Sequence, residues 1–276
     1  MEDEMSGDIK QRVYDTVVGS NHKLTPVEVE KMVAAETGAD RKVIKAAIKE
    51  LVFEGLLHYS FSGTSFLEIS MDKPVRVSRR IVIKPPDKTY ISDGNDIVID
   101  IKSGPAFGDG GHPSTYLVLR VLDSMFSSSI CIKDMVLLKA LDVGTGTGIL
   151  AMAAAKLGMK NVVGIDIDPI ALFEAERNVR INNLTEKITI CNTPLEEITS
   201  SFSLIMANIG GQTLEMLRPF LVERIEEGGV LVLSGFTTDG CMTLLNTYLR
   251  SGLILIQRDE ERNWVCFVLS KPRTSL

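Results

Sequence analysis

The sequence has few cysteines, no long hydrophobic run and no excess of basic charge. Its four cysteines are widely spaced and fit neither a zinc-ligand pattern nor a disulfide framework. They are Cys131, Cys191, Cys241 and Cys266. No apolar stretch approaches the roughly 20 residues that a bilayer requires, and the acidic start is unlike a signal peptide. We therefore expect a cytoplasmic protein with no metal site and no membrane contact.

The charge balance also limits the partners. Against 36 acidic residues there are 30 basic ones, a net charge of −6, so any nucleic-acid contact has to be local. The 276 residues are 45% apolar and 24% charged, which is typical of globular proteins. This length predicts two domains of unequal size.

Residues 1–70 are predicted to form a small helical domain. Thr25 followed by Pro26 is a typical helix start, and Asp40 can cap a further helix. The predicted helices are Ile9–Val18, a second ending at Gly38, and a third with apolar positions Ile44, Ala47, Ile48 and Leu51. Strands Leu57–Phe61 and Phe66–Ile69 then predict a hairpin. Helices followed by a hairpin resemble a winged helix-turn-helix domain.

Basic residues on the third helix leave two interpretations open. Arg41, Lys42, Lys45 and Lys49 could contact nucleic acid or an acidic partner. The alternative, a solvated face, is favoured by the balance of 8 basic and 12 acidic residues in 1–70.

Residues 71–112 are predicted to be a β connector, with strands at Val75–Val77, Ile81–Ile83 and Ile97–Ile101. Positions 73–88 hold the most basic patch of the chain: Lys73, Arg76, Arg79, Arg80, Lys84 and Lys88. This patch could bind an anionic substrate, or its charges could protect a solvated edge strand.

Residues 113–276 alternate strand and helix patterns, which predicts a parallel sheet covered on both faces. The predicted strands are Val136–Leu141, Val162–Ile165, Ile188–Ile190, Leu204–Ala207 and Val230–Leu233, with helices beginning near Thr147, Pro169 and Gln212. Leu253–Ile256 and Trp264–Leu269 are too close in sequence for a parallel crossover, so they form an antiparallel hairpin. The expected class is α/β, a doubly wound sheet with an antiparallel last strand.

A glycine loop follows the first of these strands. Gly144, Gly146 and Gly148 permit positive φ and let a ligand approach the backbone. Asp166 comes 22 residues after Gly144, at the end of the next strand, where a carboxylate accepts hydrogen bonds from a ribose. Asp168 precedes a proline, so we interpret it as a helix cap, with Asp166 as the ribose ligand.

The loop spacing is D-x-G-x-G-x-G rather than the G-x-G-x-x-G of dinucleotide-binding proteins. A carboxylate at Asp142 would repel a pyrophosphate but tolerates a positive sulfonium. We therefore include Asp142, with Gly146 and Gly148, among the predicted cofactor contacts. The pattern resembles class I methyltransferases, which have a Rossmann-like fold and bind S-adenosylmethionine.

Three separated motifs carry a more specific resemblance. They are the stretch from Gly104 through Phe107, His112 and Thr115, the segment Gly164–Pro169, and Met206–Ile209. Over roughly residues 71–271 the sequence resembles the PrmA family, methyltransferases of a large-subunit ribosomal protein. The resemblance implies cofactor contacts at Thr115, Gly144, Asp166 and Asn208.

Departures from that family lie on the acceptor side. Asp109 and Ser114 replace threonines of the family pattern, and Gly210 replaces the leucine of A-N-I-L. The family's N-terminal substrate-recognition domain is ferredoxin-like, whereas residues 8–70 have a winged-helix pattern. The cofactor and reaction type therefore transfer better than the ribosomal acceptor.

Catalysis of methyl transfer chiefly requires positioning. The side-chain carbonyl of Asn208 could orient an acceptor amine. His112 could act as a general base or only orient its loop, and Asp109 could face a cation or cap a turn. Phe107 could pack on cofactor, substrate or core.

We expect an S-adenosylmethionine-dependent N-methyltransferase acting on a protein. An RNA acceptor is the first alternative. The second is a regulator that senses the cofactor without catalysis and binds a partner through its N-terminal domain. The sequence does not define the oligomeric state.

Overall fold

The computed structural model describes residues 2–20, 23–61, 63–127 and 139–273. The chain divides into two compact units, Met1–Lys73 and Pro74–Leu276. Among the described residues, no helix combines the length and the apolarity that crossing a bilayer requires. Cys131 and residues 136–138 of the first predicted strand lie outside the described residues.

The first unit contains the predicted helices and hairpin. Its elements are α1 (Glu2–Gly19), α2 (Pro26–Thr37), α3 (Arg41–Phe53), β1 (Leu57–Phe61) and β2 (Ser65–Ile69). Thr25 and Glu28 form a reciprocal capping box, Asp40 caps α3, and Gly38 ends α2 with φ +71°. Helix α1 begins seven residues before the predicted start, because its acidic first turns lack apolar periodicity yet favour a helix N-terminus.

The core of this unit comes from one face of each helix. Val13, Val33 and Ile44 are fully buried there. Leu24, just before α2, forms a β-bridge with Leu67, whose amide donates to the Leu24 carbonyl at 2.8 Å. An isolated bridge therefore ties the segment before α2 to the two-stranded hairpin, which agrees with the winged-helix interpretation; that interpretation stays a prediction.

Two of the four basic residues on α3, for which nucleic-acid contact was one of two interpretations, bind an acid of the same unit. Arg41 and Lys45 lie 3.0 and 3.8 Å from the Glu30 carboxylate, which is buried at the side of α2. A buried carboxylate requires a charged partner, so these cations have a structural task.

The second unit begins with a small sheet of β3 (Val75–Arg76), β4 (Ile81–Lys84) and β5 (Ile97–Asp100). Strand β3 pairs antiparallel and β5 parallel with β4. Four of the six basic residues of the patch form ion pairs: Arg76 with Asp96, Arg80 with Asp123, Lys84 with Asp100, and Lys88 with its neighbour Asp87. The patch is less free to bind a ligand than the sequence indicates.

A sheet of seven described strands forms the centre of the second unit, in the order β11-β12-β10-β9-β6-β7-β8. The strands are β6 (Lys139–Val143), β7 (Asn161–Ile165), β8 (Ile188–Cys191), β9 (Phe202–Asn208), β10 (Ile225–Thr237), β11 (Ile254–Glu261) and β12 (Trp264–Ser270). β6 to β10 are parallel, whereas β12 is antiparallel to both β10 and β11. The predicted doubly wound sheet with an antiparallel last strand is confirmed.

Helices cover the sheet: α4 (Pro113–Ser127), α5 (Ile149–Leu157), α6 (Pro169–Ile181), α7 (Gly211–Arg224) and α8 (Cys241–Arg250). The prediction missed α8, although Leu244, Leu245 and Tyr248 recur at helical spacing and are buried. Parallel strands β6, β7, β9 and β10 bring their carboxyl ends to one edge, where ligands bind in such sheets.

Asn178 of α6 ties two loops to that edge. Its Oδ1 accepts from the Lys102 amide and its Nδ2 donates to the Thr147 carbonyl, both at 3.1 Å. The side chain is fully buried. One residue therefore holds the segment after β5 against the loop after β6.

Replacing Asn178 is expected to destabilise the second unit. In Asn178→Ala the Lys102 amide and the Thr147 carbonyl lose their buried partner, which costs about 3 kcal/mol of unfolding free energy. Urea denaturation of the full chain measures this loss. The matched control is Asn161→Ala, an exposed asparagine, which should change the value by less than about 0.5 kcal/mol. Equal effects of the two variants would contradict this role.

Candidate active site

The loop after β6 turns sharply over the end of β7. The amides of Gly144 and Thr145 both donate to the Ile165 carbonyl at 2.9 Å. Gly144, Gly146 and Gly148 all have positive φ, as the loop pattern predicts. A Cβ at Gly144 would lie 2.5 Å from Cγ2 of Ile209, so the glycine also allows the β9 end to pack closely.

The segment 104–112 docks on this loop. The Thr147 amide donates to the Phe107 carbonyl at 3.0 Å, and the Thr147 hydroxyl donates to the Gly108 carbonyl. A Cβ on Gly146 would lie only 2.2 Å from the Phe107 oxygen. Gly146 is therefore required by contact between two loops, a constraint that the sequence pattern does not reveal.

Asp142 lies inside the loop and does not line the cavity described below, so its predicted cofactor contact stays a prediction. Its carboxylate is fully buried and accepts from the Thr145 hydroxyl at 2.7 Å and the Ala151 amide at 3.1 Å. Burial raises the pKa of Asp142 to about 7, although both hydrogen bonds lower it. The carboxylate fixes the turn into α5.

Two further predicted contacts lie behind the site. Gly148 is the N-cap residue of α5, and a Cβ there would lie 3.3 Å from the Cβ of Ala175. Thr115 of α4 is buried, and its hydroxyl accepts from Asn208 Nδ2 at 3.4 Å. Neither lines the cavity described next, so both support the site from behind it, and direct contact of either with a cofactor stays a prediction.

A cavity of about 760 Å³ opens between segment 105–107 and the carboxyl edge of the sheet. It is lined by six of the predicted site residues: Phe107, His112, Gly144, Gly146, Asp166 and Asn208. Other lining residues were missed, among them Thr193–Glu196 after β8, Thr213 and Leu217 of α7, and Trp264 of β12. The position of Thr193–Glu196 just after a parallel strand was the available signal.

Asp166 connects the cavity to the glycine loop. Its Oδ2 accepts from the Gly146 amide at 2.9 Å and its Oδ1 from the Asp168 amide at 3.0 Å. A carboxylate has about four acceptor sites, so it can take further donors from a ligand. Asp168 caps α6 by accepting from the Ile170 amide at 2.8 Å, as predicted.

Asn208 presents an acceptor with no partner. Its Nδ2 donates to Thr115, whereas its Oδ1 is buried and has no hydrogen bond in the described structure. A buried acceptor without a donor is costly, so this oxygen, at the cavity wall, is available to a donor that enters the cavity.

His112 is held by its neighbours. Its Nδ1 accepts from the Ser114 amide at 3.3 Å and lies 2.8 Å from the Ser114 hydroxyl. Its ring makes edge contacts with Phe107 and Trp264, with centroids 5.0 and 4.5 Å away. This geometry agrees with the loop-orienting interpretation. Asp109 accepts from the Gly111 amide at 2.9 Å, which agrees with the turn-capping one.

Charge in the cavity has one sign. Asp166, Asp168 and Glu196 line it, and no lysine or arginine does so among the described residues. Such a cavity attracts cations and disfavours anions.

Comparison with known proteins shows which family the chain belongs to. The sequence model described as "Ribosomal protein L11 methyltransferase (PrmA)" matches residues 68–272. The chain belongs to the PrmA family. Ribosomal protein L11 methyltransferases of Geotalea uraniireducens and Geotalea daltonii are 39% and 37% identical over 198 and 200 residues. These matches cover 70% and 71% of this chain but only 63% and 64% of those proteins.

A solved structure is also similar. The crystal structure of ribosomal protein L11 methylase from Lactobacillus delbrueckii subsp. bulgaricus superposes with a TM-score of 0.64 at 28% identity, covering 73% of this chain and 100% of that one. The predicted PrmA resemblance and Rossmann-like class I methyltransferase fold are thereby confirmed. Members of the PrmA family use S-adenosylmethionine. Residues 1–67 lie outside the family match.

Gly146→Ala is expected to destabilise the site region by about 3 kcal/mol, because it combines positive φ with a clash against Phe107. Denaturant unfolding measures the change. Gly210→Ala is the matched control: φ is −55° and a Cβ there meets no atom within 4 Å. That variant should stay within about 1 kcal/mol of the original chain. Tolerance of both alanines would refute the docking constraint.

The raised pKa of Asp142 predicts that the unfolding free energy depends on pH. Its folded pKa, about 7, exceeds the unfolded value near 4, so its contribution to stability is full below pH 4 and is lost as pH rises through 7. Asp142→Asn carries no ionisable proton. Its unfolding free energy minus that of the original chain should rise by about 2 kcal/mol from pH 5 to pH 8.

Urea titrations at several pH values measure this difference. The control is Asp123→Asn, because hydrogen bonds from Ser78 and Arg80 outweigh burial and lower the pKa of Asp123. The difference for that variant should change with the opposite sign or stay flat as pH rises. A flat difference for Asp142→Asn would show that Asp142 is ionised throughout.

Proposed function

We propose that this chain is an S-adenosylmethionine-dependent N-methyltransferase whose acceptor is an amine of ribosomal protein L11. The observation that carries the proposal is the single cavity that joins the glycine loop, the Asp166 carboxylate and the unpaired Oδ1 of Asn208. Relatives named for L11 methylation support the acceptor, although the chain spans less than two thirds of their length.

The cavity fits the cofactor in size and in chemistry. Gly144 and Gly146 line it without side chains, and Asp166 has acceptor capacity for ribose hydroxyls. Phe107 is 54% exposed and offers an apolar wall for the nucleoside or the substrate. When bound, S-adenosylmethionine supplies a methyl group on a positive sulfonium, which suits a cavity lined by carboxylates.

The acceptor amine would be oriented by Asn208. Its Nδ2 is held by the Thr115 hydroxyl, so the Oδ1 is fixed in direction and can accept an N–H of the acceptor. Fixing the nucleophile lowers the entropic part of the barrier. His112, clamped by Ser114, Phe107 and Trp264, holds the wall of the site; it needs no proton-transfer role.

The charge of the cavity favours a protein amine over RNA. A lysine arrives as a cation and is attracted by Asp166, Asp168 and Glu196, whereas a polyanion would face repulsion from the same groups. The ammonium then has to lose a proton to solvent before its nitrogen lone pair can accept the methyl group. The family match likewise favours an enzyme over a sensor, because the matched family is described as a methyltransferase.

The domain organisation is part of this proposal: a winged-helix-like unit at 1–70, a β connector at 71–112 and the cofactor domain at 113–276. The contact boundary after Lys73 and the separate β3–β5 sheet support it. A ribosomal acceptor agrees with the cytoplasmic location that the sequence predicts.

Two variants separate cofactor binding from transfer. Asp166→Ala should weaken S-adenosylmethionine binding at least tenfold in calorimetry, because the ribose loses charge-assisted hydrogen bonds. Asn208→Ala should bind the cofactor within a few-fold of normal yet lose at least tenfold in methyl transfer to purified L11. Transfer is measured with radiolabelled methyl donor.

Asp168→Ser is the matched control, because serine retains the helix cap and removes one cavity carboxylate that we do not assign to the ribose. Its cofactor affinity should change less than threefold. Undiminished binding by Asp166→Ala would refute the cofactor site. Labelling of RNA rather than L11 would refute the acceptor.

A further inference from the structure

A second cavity, of about 590 Å³, lies between the β3–β4 turn and the C-terminal half of α4. It shares no described lining residue with the first cavity. Its walls are Arg76, Val77, Ser78, Arg79, Arg120, Asp123, Ser124 and Ser127. The chain is acidic overall, yet arginines line this cavity.

Two of these arginines each bind a carboxylate that lies outside the cavity lining. Arg76 lies 2.7 Å from the buried Asp96 carboxylate and donates to the Tyr90 hydroxyl at 2.8 Å. The hydrogen bond from Arg76, followed by that from Tyr90, lowers the pKa of Asp96 to about 2, so Asp96 stays charged at neutral pH.

Arg120 is held in the same manner. Its Nε donates to the Val77 carbonyl at 3.1 Å, and its Nη1 binds the Glu261 carboxylate. The hydrogen bonds of Arg76 and Arg120 leave further N–H groups on each guanidinium, which has five donors. Both cations are therefore pre-oriented, and a ligand would not have to pay the entropy of ordering them.

Arg79 has a free guanidinium. It is exposed, and no side-chain hydrogen bond or ion pair involves it in the described structure. Its backbone is fixed beside Arg76, whose Nη1 donates to the Arg79 carbonyl at 2.9 Å. The free guanidinium of Arg79 therefore lies at the cavity wall, next to the fixed guanidinium of Arg76.

Acceptors that would oppose an anion are already satisfied. Asp123 is the carboxylate among the described lining residues, and it is buried; it accepts from Arg80 Nε at 2.6 Å and from the Ser78 hydroxyl at 2.7 Å. The Asp123 carbonyl accepts from Arg80 Nη2 and the Ser127 hydroxyl. Most of the hydrogen-bonding groups that could still bind a ligand in this cavity are therefore guanidinium N–H donors.

We propose that this cavity binds the phosphate group of a phosphorylated ligand, with Arg79 closing on it beside Arg76 and Arg120. Guanidinium groups match phosphate oxygens in pairs of hydrogen bonds. The volume exceeds that of a bare phosphate, so it admits a nucleotide or one unit of a phosphodiester chain. The proposal does not rest on the proposed methyltransferase activity.

The test is calorimetric titration of the full chain with inorganic phosphate and, separately, with a short single-stranded RNA. Arg79→Ala should weaken binding of the active probe at least tenfold, because charge-assisted hydrogen bonds are lost. Arg79→Lys should give an intermediate loss, since it keeps the charge without the paired donors. S-adenosylmethionine affinity should be the same in all variants.

Lys88→Ala is the matched control: it removes one exposed cation of the same basic segment, outside the cavity lining. It should leave binding within twofold. Binding of phosphate alone identifies a small phosphorylated ligand, and binding of RNA identifies a phosphodiester chain. The proposal is overturned if neither probe binds, or if Arg79→Ala weakens binding no more than Lys88→Ala.

Discussion

The close approach of two loops at Gly146 is the constraint on which the site depends. The Phe107 carbonyl lies where a side chain at 146 would be, and the Thr147 amide donates to it. This contact brings a segment that precedes α4 over the carboxyl edge of the sheet and makes it a wall of the cavity. Without it, the glycine loop would be an open turn and His112 would have no fixed place beside Trp264.

The acidic residues of the second unit have different roles because their surroundings differ. Asp142 is buried in the turn and serves structure, whereas Asp166, one strand further, touches both the loop amide and the cavity. Asn208 is the amide counterpart on β9, with one end bonded to Thr115 and the other unpaired. The strand ends thus present acceptors with fixed directions, which is the property that positioning of a donor requires.

Local pattern was sufficient for the elements and for part of the site. Short apolar runs located the strands, the Asp-Pro pair distinguished Asp168 as a cap, and glycine spacing located the loop. Local pattern could not show which of these residues are buried. Asp142, Thr115 and Gly148 carry the expected residue types but lie behind the cavity. Local pattern also could not show contacts between residues far apart in sequence. Examples are Trp264 against His112, and Arg76 and Arg120 in the lining of one cavity. Such neighbours are set by the packing of the whole sheet.

The most direct test of the account is a crystal structure of the full chain with S-adenosylhomocysteine. The account predicts nucleoside density in the 760 Å³ cavity, with the ribose hydroxyls within hydrogen-bond distance of the Asp166 carboxylate. Density at another place, or an Asp166 carboxylate turned away from the sugar, would contradict it.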